Sequence, residues 1–182
     1  MLHKITTEEF GVELEIAYAS TANFTGKAVY KKPEAYLHPK AAQHLKTAIS
    51  YAAALGYKIK IFDAYRPSEA QYKLWEHTPD ANFLSHPDSG SPHSRGIAID
   101  LTLIDENGVE LDMGTGFDDF TKKSYHSNLE ISAEAQKNRR ILLGIMSAAG
   151  WDWYDNEWWH YQLFNPRAYR LYSDAEAGTG LI

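Results

Sequence analysis

Two short segments carry residue types that could do chemistry together. In SPHSRGIAIDLTL, Ser91 to Leu103, a histidine and an aspartate, His93 and Asp100, stand seven positions apart. In EWWHY, Glu157 to Tyr161, a glutamate precedes His160 by three positions, amid aromatic residues that would exclude water. Two imidazoles and one carboxylate form a donor set for a three-ligand zinc site with an open fourth position. A glutamate that is not itself a ligand is the usual partner of a zinc-bound water. His93, Asp100 and His160 are therefore candidate ligands, and Glu157 is a candidate base. The competing reading of the first segment is a surface histidine and a strand aspartate joined in a salt bridge.

Whether these residues can meet depends on the elements that carry them. On a strand starting at Gly96, Ile97, Ile99, Leu101 and Leu103 share one face, and Ala98, Asp100 and Thr102 share the other. The first face is core. The second, small residues plus a carboxylate, is what the floor of a pocket needs, and a buried carboxylate must be paired, hydrogen-bonded or bound to a metal. Along a straight strand His93 and Asp100 would lie roughly 23 Å apart. They can share an ion only if the chain bends at Ser94-Arg95-Gly96. Similarly, positions i and i+3 of a strand face opposite ways. Glu157 and His160 therefore converge only if Glu157 sits in the Asp155-Asn156 turn or on a bulge. The aromatic density of WDWYDNEWWHY favours strands here, and we place Glu157 in the turn.

Other elements follow from periodicity. Residues 11–19 alternate, with Val12, Leu14, Ile16 and Tyr18 on one face, which predicts a half-buried strand. Apolar positions from Pro39 to Leu55 recur at helical spacing, with Pro39 suited to the first turn and Gly56 to the exit. Residues 57–63 alternate as a strand ending near Arg66-Pro67, and Ser68 with Gln71 reads as a capping box for a short helix to about His77. Residues 78–92 read as loop, and 109–130 as irregular. A second long helix runs from Ser132 to Gly150, and WDWY with EWWHYQLF reads as a hairpin. Strands and helices do not alternate regularly. The expected fold is α+β, a single domain over 1–182 with a mainly antiparallel sheet flanked by helices.

Composition narrows the function classes. The 182 residues include 44% hydrophobic and 23% charged ones, with a net charge of −6. That is an ordinary globular composition with no basic run, so no nucleic-acid or membrane partner is expected. The absence of cysteine removes thiolate ligands and fits a reducing compartment. The first twenty residues hold no apolar run of signal-peptide length, so a cytoplasmic location is expected. Oligomeric state is not readable from the sequence. Of the remaining residues, the Trp151, Trp153, Trp158 and Trp159 cluster is assigned to core. His3, His38, His44, His77, His86 and His126 are assigned to the surface.

Taken together, the two segments resemble the D-alanyl-D-alanine dipeptidase (VanX-type) family. That family belongs to a wider group of zinc peptidases that includes D-Ala-D-Ala carboxypeptidases and the Hedgehog signalling domain. Its pattern S-x-H-x-x-G-x-A-x-D is matched by Ser91, His93, Gly96, Ala98 and Asp100, and E-x-W-H by Glu157, Trp159 and His160. NFTGK at 23–27, YRP at 65–67 and MGTGFDDF at 113–120 follow in family order. The resemblance implies that His93, Asp100 and His160 bind one zinc per chain and that Glu157 is the catalytic base. It also implies that Arg66 stabilises the transition state and that Ser91, Asp118 and Tyr18 contact a small D,D-dipeptide. The MGTGFD segment favours the dipeptidase branch over a D,D-carboxypeptidase or wall endopeptidase on the same zinc site. A Hedgehog-like binding module would need neither Glu157 nor Arg66. On residue types alone, Arg66 could pair with Asp63 in an exposed loop, Asp118 could be solvated beside Asp119, and Tyr18 could be core.

Overall fold

A computed structural model describes all 182 residues. The chain opens with β1 (His3–Ile5), α1 (Thr7–Phe10) and β2 (Glu13–Leu14), and β3 (Ala35–Leu37) then pairs antiparallel with β1. The first long helix, α2 (Pro39–Ala54), places Pro39 in its first turn and ends just before Gly56. Next come β4 (Lys58–Asp63), α3 (Ser68–His77), β5 (Ala98–Ile104) and the second long helix, α4 (Ala133–Ala148). The hairpin β6 (Asp152–Trp153) and β7 (His160–Gln162) follows, and α5 (Asp174–Ala177) is the last helix.

The main sheet has strand order β2-β4-β5-β7-β6 and is antiparallel throughout except where β2 runs parallel to β4. This is the expected α+β class. Ile59, Ile61, Ile99, Leu101, Leu103 and Tyr161 are all but inaccessible, as are Leu45 and Leu142 on the two long helices. That shared apolar core makes the sheet a rigid base, and β5, buried along its whole length, is the central strand that carries Asp100. No helix is long and apolar enough to cross a membrane.

The expected strand over 11–19 shrinks to Glu13–Leu14, and Tyr18 lies on a 3-10 turn, Ala17–Ala19. The ladder to β4 ends with Glu15 N–H donating to the Ile61 carbonyl. Beyond it, the Asn23 amide donates to the carbonyls of Ala17, Ser20 and Lys27, while its Oδ1 accepts from Thr25 N–H and Thr25 Oγ1. One side chain of the NFTGK segment thus fixes a knot that alternation could not reveal. The capping box at Ser68 is not made either. Pro67 occupies the cap position, and Gln71 is buried against Arg66 instead. Trp151, Trp158 and Trp159 are core as expected, but Trp153 is 43% exposed. His126, assigned to the surface, is half-buried against the Trp153 ring at 5.2 Å, and that burial lowers its pKa to about 4.

Candidate active site

Sheet register builds the first half of the site. Asp100 on β5 lies directly opposite His160 on β7 and opposite Asp63 on β4, where a register shift after Ile61 brings Asp63 into line. Partners directly opposite in a sheet point to the same face. A row of one imidazole and two carboxylates therefore crosses three strands. Ala98 and Gln162 form the next rung, so the residue beside Asp100 on its own face is small and leaves space.

The bend supplies the second half. His93 to Arg95 form a 3-10 turn that ends at Gly96 with φ +67°, and this folds His93 back over β5. His93 Nε2 comes 3.3 Å from Asp100 Oδ1 and 3.1 Å from His160 Nδ1, and His160 Nδ1 is 3.1 Å from the same carboxylate oxygen. These three buried residues form a cluster able to hold a metal ion. The outer nitrogens fix the orientation of both rings. His93 Nδ1 lies 2.7 Å from the Ala64 carbonyl, and His160 Nε2 lies 3.0 Å from Gln162 Oε1. Both of those oxygens are acceptors, so each outer nitrogen carries the proton and the inner nitrogens turn toward Asp100. Bonds of about 2.0–2.1 Å to a tetrahedral zinc would put neighbouring donors roughly 3.3 Å apart. The donor set therefore fits zinc in both type and spacing.

The electrostatics agree. Asp63, Asp100 and Glu157 are buried and Asp118 is half-buried with its Oδ2 enclosed, whereas Arg66 is the one permanent cation among them. Burial, aggravated by the charge of Asp100, raises Glu157 and Asp118 each to about 8, against the pull of His160 on Glu157 and of Arg66 on Asp118. Burial opposes the charge of Asp100 as well, yet His93 and His160 hold it well below the ordinary carboxylate range. His160 is raised to about 9 against its own burial, chiefly by Asp100 and Glu157. Either a proton or a metal ion must sit between these atoms, and a metal would compete with the proton for the His160 lone pair.

Glu157 occupies the turn before β7, as expected. His160 N–H donates to the Glu157 carbonyl, a turn that aims both side chains the same way, with Oε2 3.7 Å from His160 Nδ1. Arg66 is not an exposed loop residue. Its Nε donates to Asp63 Oδ2 at 2.9 Å, its Nη1 donates to Gln71 Oε1 at 3.0 Å, and Nη2 lies 3.5 Å from Asp100 Oδ2. Tyr18 puts its ring in the core, 5.0 Å from the Arg66 guanidinium, while its hydroxyl donates to Asp118 Oδ1. Asp118 Oδ2 is buried and has no partner. Ser91 Oγ accepts from His93 N–H. All eight expected residues line one cavity of about 310 Å³.

Four contributors have no site role in the sequence reading. Gln162 and the Ala64 carbonyl orient the histidines. Asp63, which accepts from Tyr30 Oη as well as Arg66, holds the guanidinium together with Gln71. Gln162 was findable, since it lies two residues from His160 and so shares its face on a strand. The helix carrying Gln71 starts at Ser68, as its sequence predicts, but the register shift that brings in Asp63 and the turning of Gln71 toward Arg66 carry no sequence signal.

Gly96 is the residue the bend cannot spare. An alanine there would take on a left-handed backbone costing roughly 1–2 kcal/mol. Its Cβ would also meet the His38 backbone nitrogen at 3.2 Å and Leu2 Cδ2 at 2.7 Å. Gly96→Ala is expected to lose at least about 1–2 kcal/mol in denaturant unfolding and to bind zinc more weakly, because His93 moves with the turn. An unchanged unfolding midpoint would show that the bend does not depend on glycine.

Two imidazoles and a carboxylate facing a small cavity, with a buried glutamate alongside, define the class: a metal-hydrolase site on an α+β frame. Residues 2–176 match the peptidase M15 family described as D-Ala-D-Ala dipeptidase, and the chain belongs to that family of metallopeptidases. It is 42% identical over 163 residues to the D-alanyl-D-alanine dipeptidase of Escherichia coli (strain K12), covering 90% of this chain and 84% of that one. It is 35% identical to the enzyme of the same name from Enterococcus faecalis (strain ATCC 700802 / V583), covering 85% and 87%. The solved structure of a vancomycin-resistance D,D-pentapeptidase, VanY, overlaps more loosely. Its TM-score is 0.47 at 15% identity, over 74% of this chain and 76% of that one, too slight a likeness to bear on the chemistry.

Proposed function

We propose that the protein hydrolyses the free dipeptide D-Ala-D-Ala to two D-alanines, using one zinc per chain held by His93 Nε2, Asp100 Oδ1 and His160 Nδ1. When bound there, zinc supplies a Lewis acid and lowers the pKa of a coordinated water to about 7. Glu157 accepts the proton of the attacking water and passes it to the leaving amine. Arg66, held by Asp63 and Gln71, meets the negative charge that grows on the carbonyl oxygen; a guanidinium has five donors, and only two are used by those partners. Asp118, with Tyr18 Oη at its other oxygen, receives the substrate ammonium, and Ser91 lies in the wall to contact the dipeptide.

The observation that carries this reading is the unpartnered, buried Asp118 Oδ2 in the cavity that also holds the metal cluster, Glu157 and Arg66. A free dipeptide brings the cation that this oxygen lacks; an acylated wall precursor does not. The cavity is also small, at the low end of the roughly 300–1,000 Å³ of ligand pockets. A cytoplasmic pool of the dipeptide is the substrate source this reading implies.

The test is to compare D-Ala-D-Ala with N-acetyl-D-Ala-D-Ala. The acetylated compound is expected to have a kcat/KM at least about 10²-fold lower, a difference of roughly 2.7 kcal/mol, and Asp118→Asn to narrow that gap by harming the free dipeptide most. Equal kcat/KM for the two substrates would move the enzyme to the carboxypeptidase reading.

A further inference from the structure

Asp118 sits at φ +60°, a left-handed conformation that a residue with a side chain holds only when its surroundings impose it. The loop that carries it is irregular; Ser124 and the Trp158 indole hold its middle through the Asp119 carbonyl and Thr115 Oγ1, and its two ends are held from α4. Arg139 is 2% exposed, and each of its three side-chain nitrogens bonds to a backbone carbonyl rather than to a carboxylate. Nε donates to Met113 at 2.6 Å, Nη1 to Tyr125 at 2.9 Å and Nη2 to Lys123 at 2.8 Å. Its neighbour Asn138 adds a fourth, donating to the Asp112 carbonyl at 2.9 Å. Both ends of the loop are thereby tied to one rigid helix. The middle is closed by packing, with Phe117 stacked on Phe62 and Phe120 on Phe83.

Burying a guanidinium without a counter-ion is costly, and a core helix could fill the same space with an apolar side chain at less expense. Burial already lowers the pKa of Arg139 to about 10, although it stays charged at neutral pH. Its donors match three carbonyls that converge from two separate stretches of one loop, a geometry a planar fork serves and an ammonium does not.

We propose that Arg139 is a positioning residue for substrate recognition: by clamping both ends of the 113–125 loop it holds the Asp118 carboxylate where the substrate ammonium must bind. The inference rests on the reading of Asp118 as the ammonium receptor, and it makes Arg139 a determinant of preference for free over acylated dipeptides. It assigns Arg139 no contact with the substrate.

The test combines Arg139→Lys with Asp118→Asn. The lysine variant keeps the charge but cannot span three carbonyls. It is expected to raise KM for D-Ala-D-Ala about tenfold, with kcat within about twofold, as for loss of ground-state binding alone. Zinc content and kcat/KM for the N-acetyl dipeptide should not change, because that substrate does not use Asp118. In the Asp118→Asn background Arg139→Lys should add nothing further, the signature of two residues acting as one unit. Amide hydrogen exchange over 114–121 should rise in the ligand-free variant.

A purely structural role would lower activity on both substrates alike and add fully to Asp118→Asn; either result overturns the proposal, as does unchanged exchange in the loop. If Asp118→Asn alone spares the free dipeptide, the ammonium reading falls and this proposal falls with it. Loop exchange in Arg139→Lys then shows separately whether the clamp exists. Should Arg139→Lys not fold, Asn138→Ala, which frees one end of the same loop, must show the same selective rise in KM, and equal losses on both substrates would count against the clamp.

Discussion

Glu157→Gln is expected to keep the fold and the zinc yet lower kcat on D-Ala-D-Ala by at least about 10²-fold, the low end for a positioned general base. The amide has the same shape and cannot take a proton. Glu157 is buried, 3.7 Å from His160 Nδ1, and its environment raises its pKa to about 8, mainly through burial. A cation held by His93, Asp100 and His160 would lower that proton affinity again, leaving a carboxylate able to accept a proton from water and give it up. Arg66→Ala gives a useful contrast. It should reduce kcat more than it raises KM, because the charge it meets exists mainly in the transition state. A change confined to KM would make Arg66 an anchor for the substrate carboxylate instead. A kcat for Glu157→Gln within about tenfold of wild type would remove Glu157 from the proton transfer.

His160→Ala should go further and lose metal and activity together. It removes one of three donors, and it leaves Asp100 without one of the two imidazoles that hold it ionised. The separation from Glu157→Gln lies in the metal. Added zinc should raise the melting temperature of the wild type and of Glu157→Gln, since a ligand bound only to the native state stabilises it. The same zinc should leave His160→Ala nearly unmoved. Stoichiometric zinc and full stabilisation in His160→Ala would mean that the ion is held elsewhere.

Much of this site was legible because its residues obey local rules. A carboxylate on a face of small residues had to be paired, and a histidine seven positions away could reach it only through a bend. Gly96 is the residue that permits that bend, and the 3-10 turn at His93–Arg95 makes it. The parity of a strand likewise forced Glu157 into the turn before His160. The two long helices and the central strand followed from period and punctuation.

What stayed hidden depends on partners distant in sequence. Tyr18 looked like the end of a strand, but the Asn23 side chain captures three carbonyls and turns the chain before it. Gln71 looked like half of a capping box, but Arg66 claims it. Residues 109–130 have no period of their own because partners elsewhere set their path, among them Asn138 and Arg139 on α4 and the Trp158 indole. β1 and β3 are too short to show alternation, and each is a strand only because the other lies beside it.

Zinc-dependent cleavage of a free D,D-dipeptide can be followed in a single assay. D-alanine release from D-Ala-D-Ala is followed with the protein as isolated, after chelation to verified metal-free material, and after zinc is restored, with L-Ala-L-Ala as a control. The expected result is two D-alanines per dipeptide consumed, loss of turnover on chelation, recovery near one zinc per chain, and little or no release from the L,L isomer. Full turnover by the verified metal-free protein would contradict it.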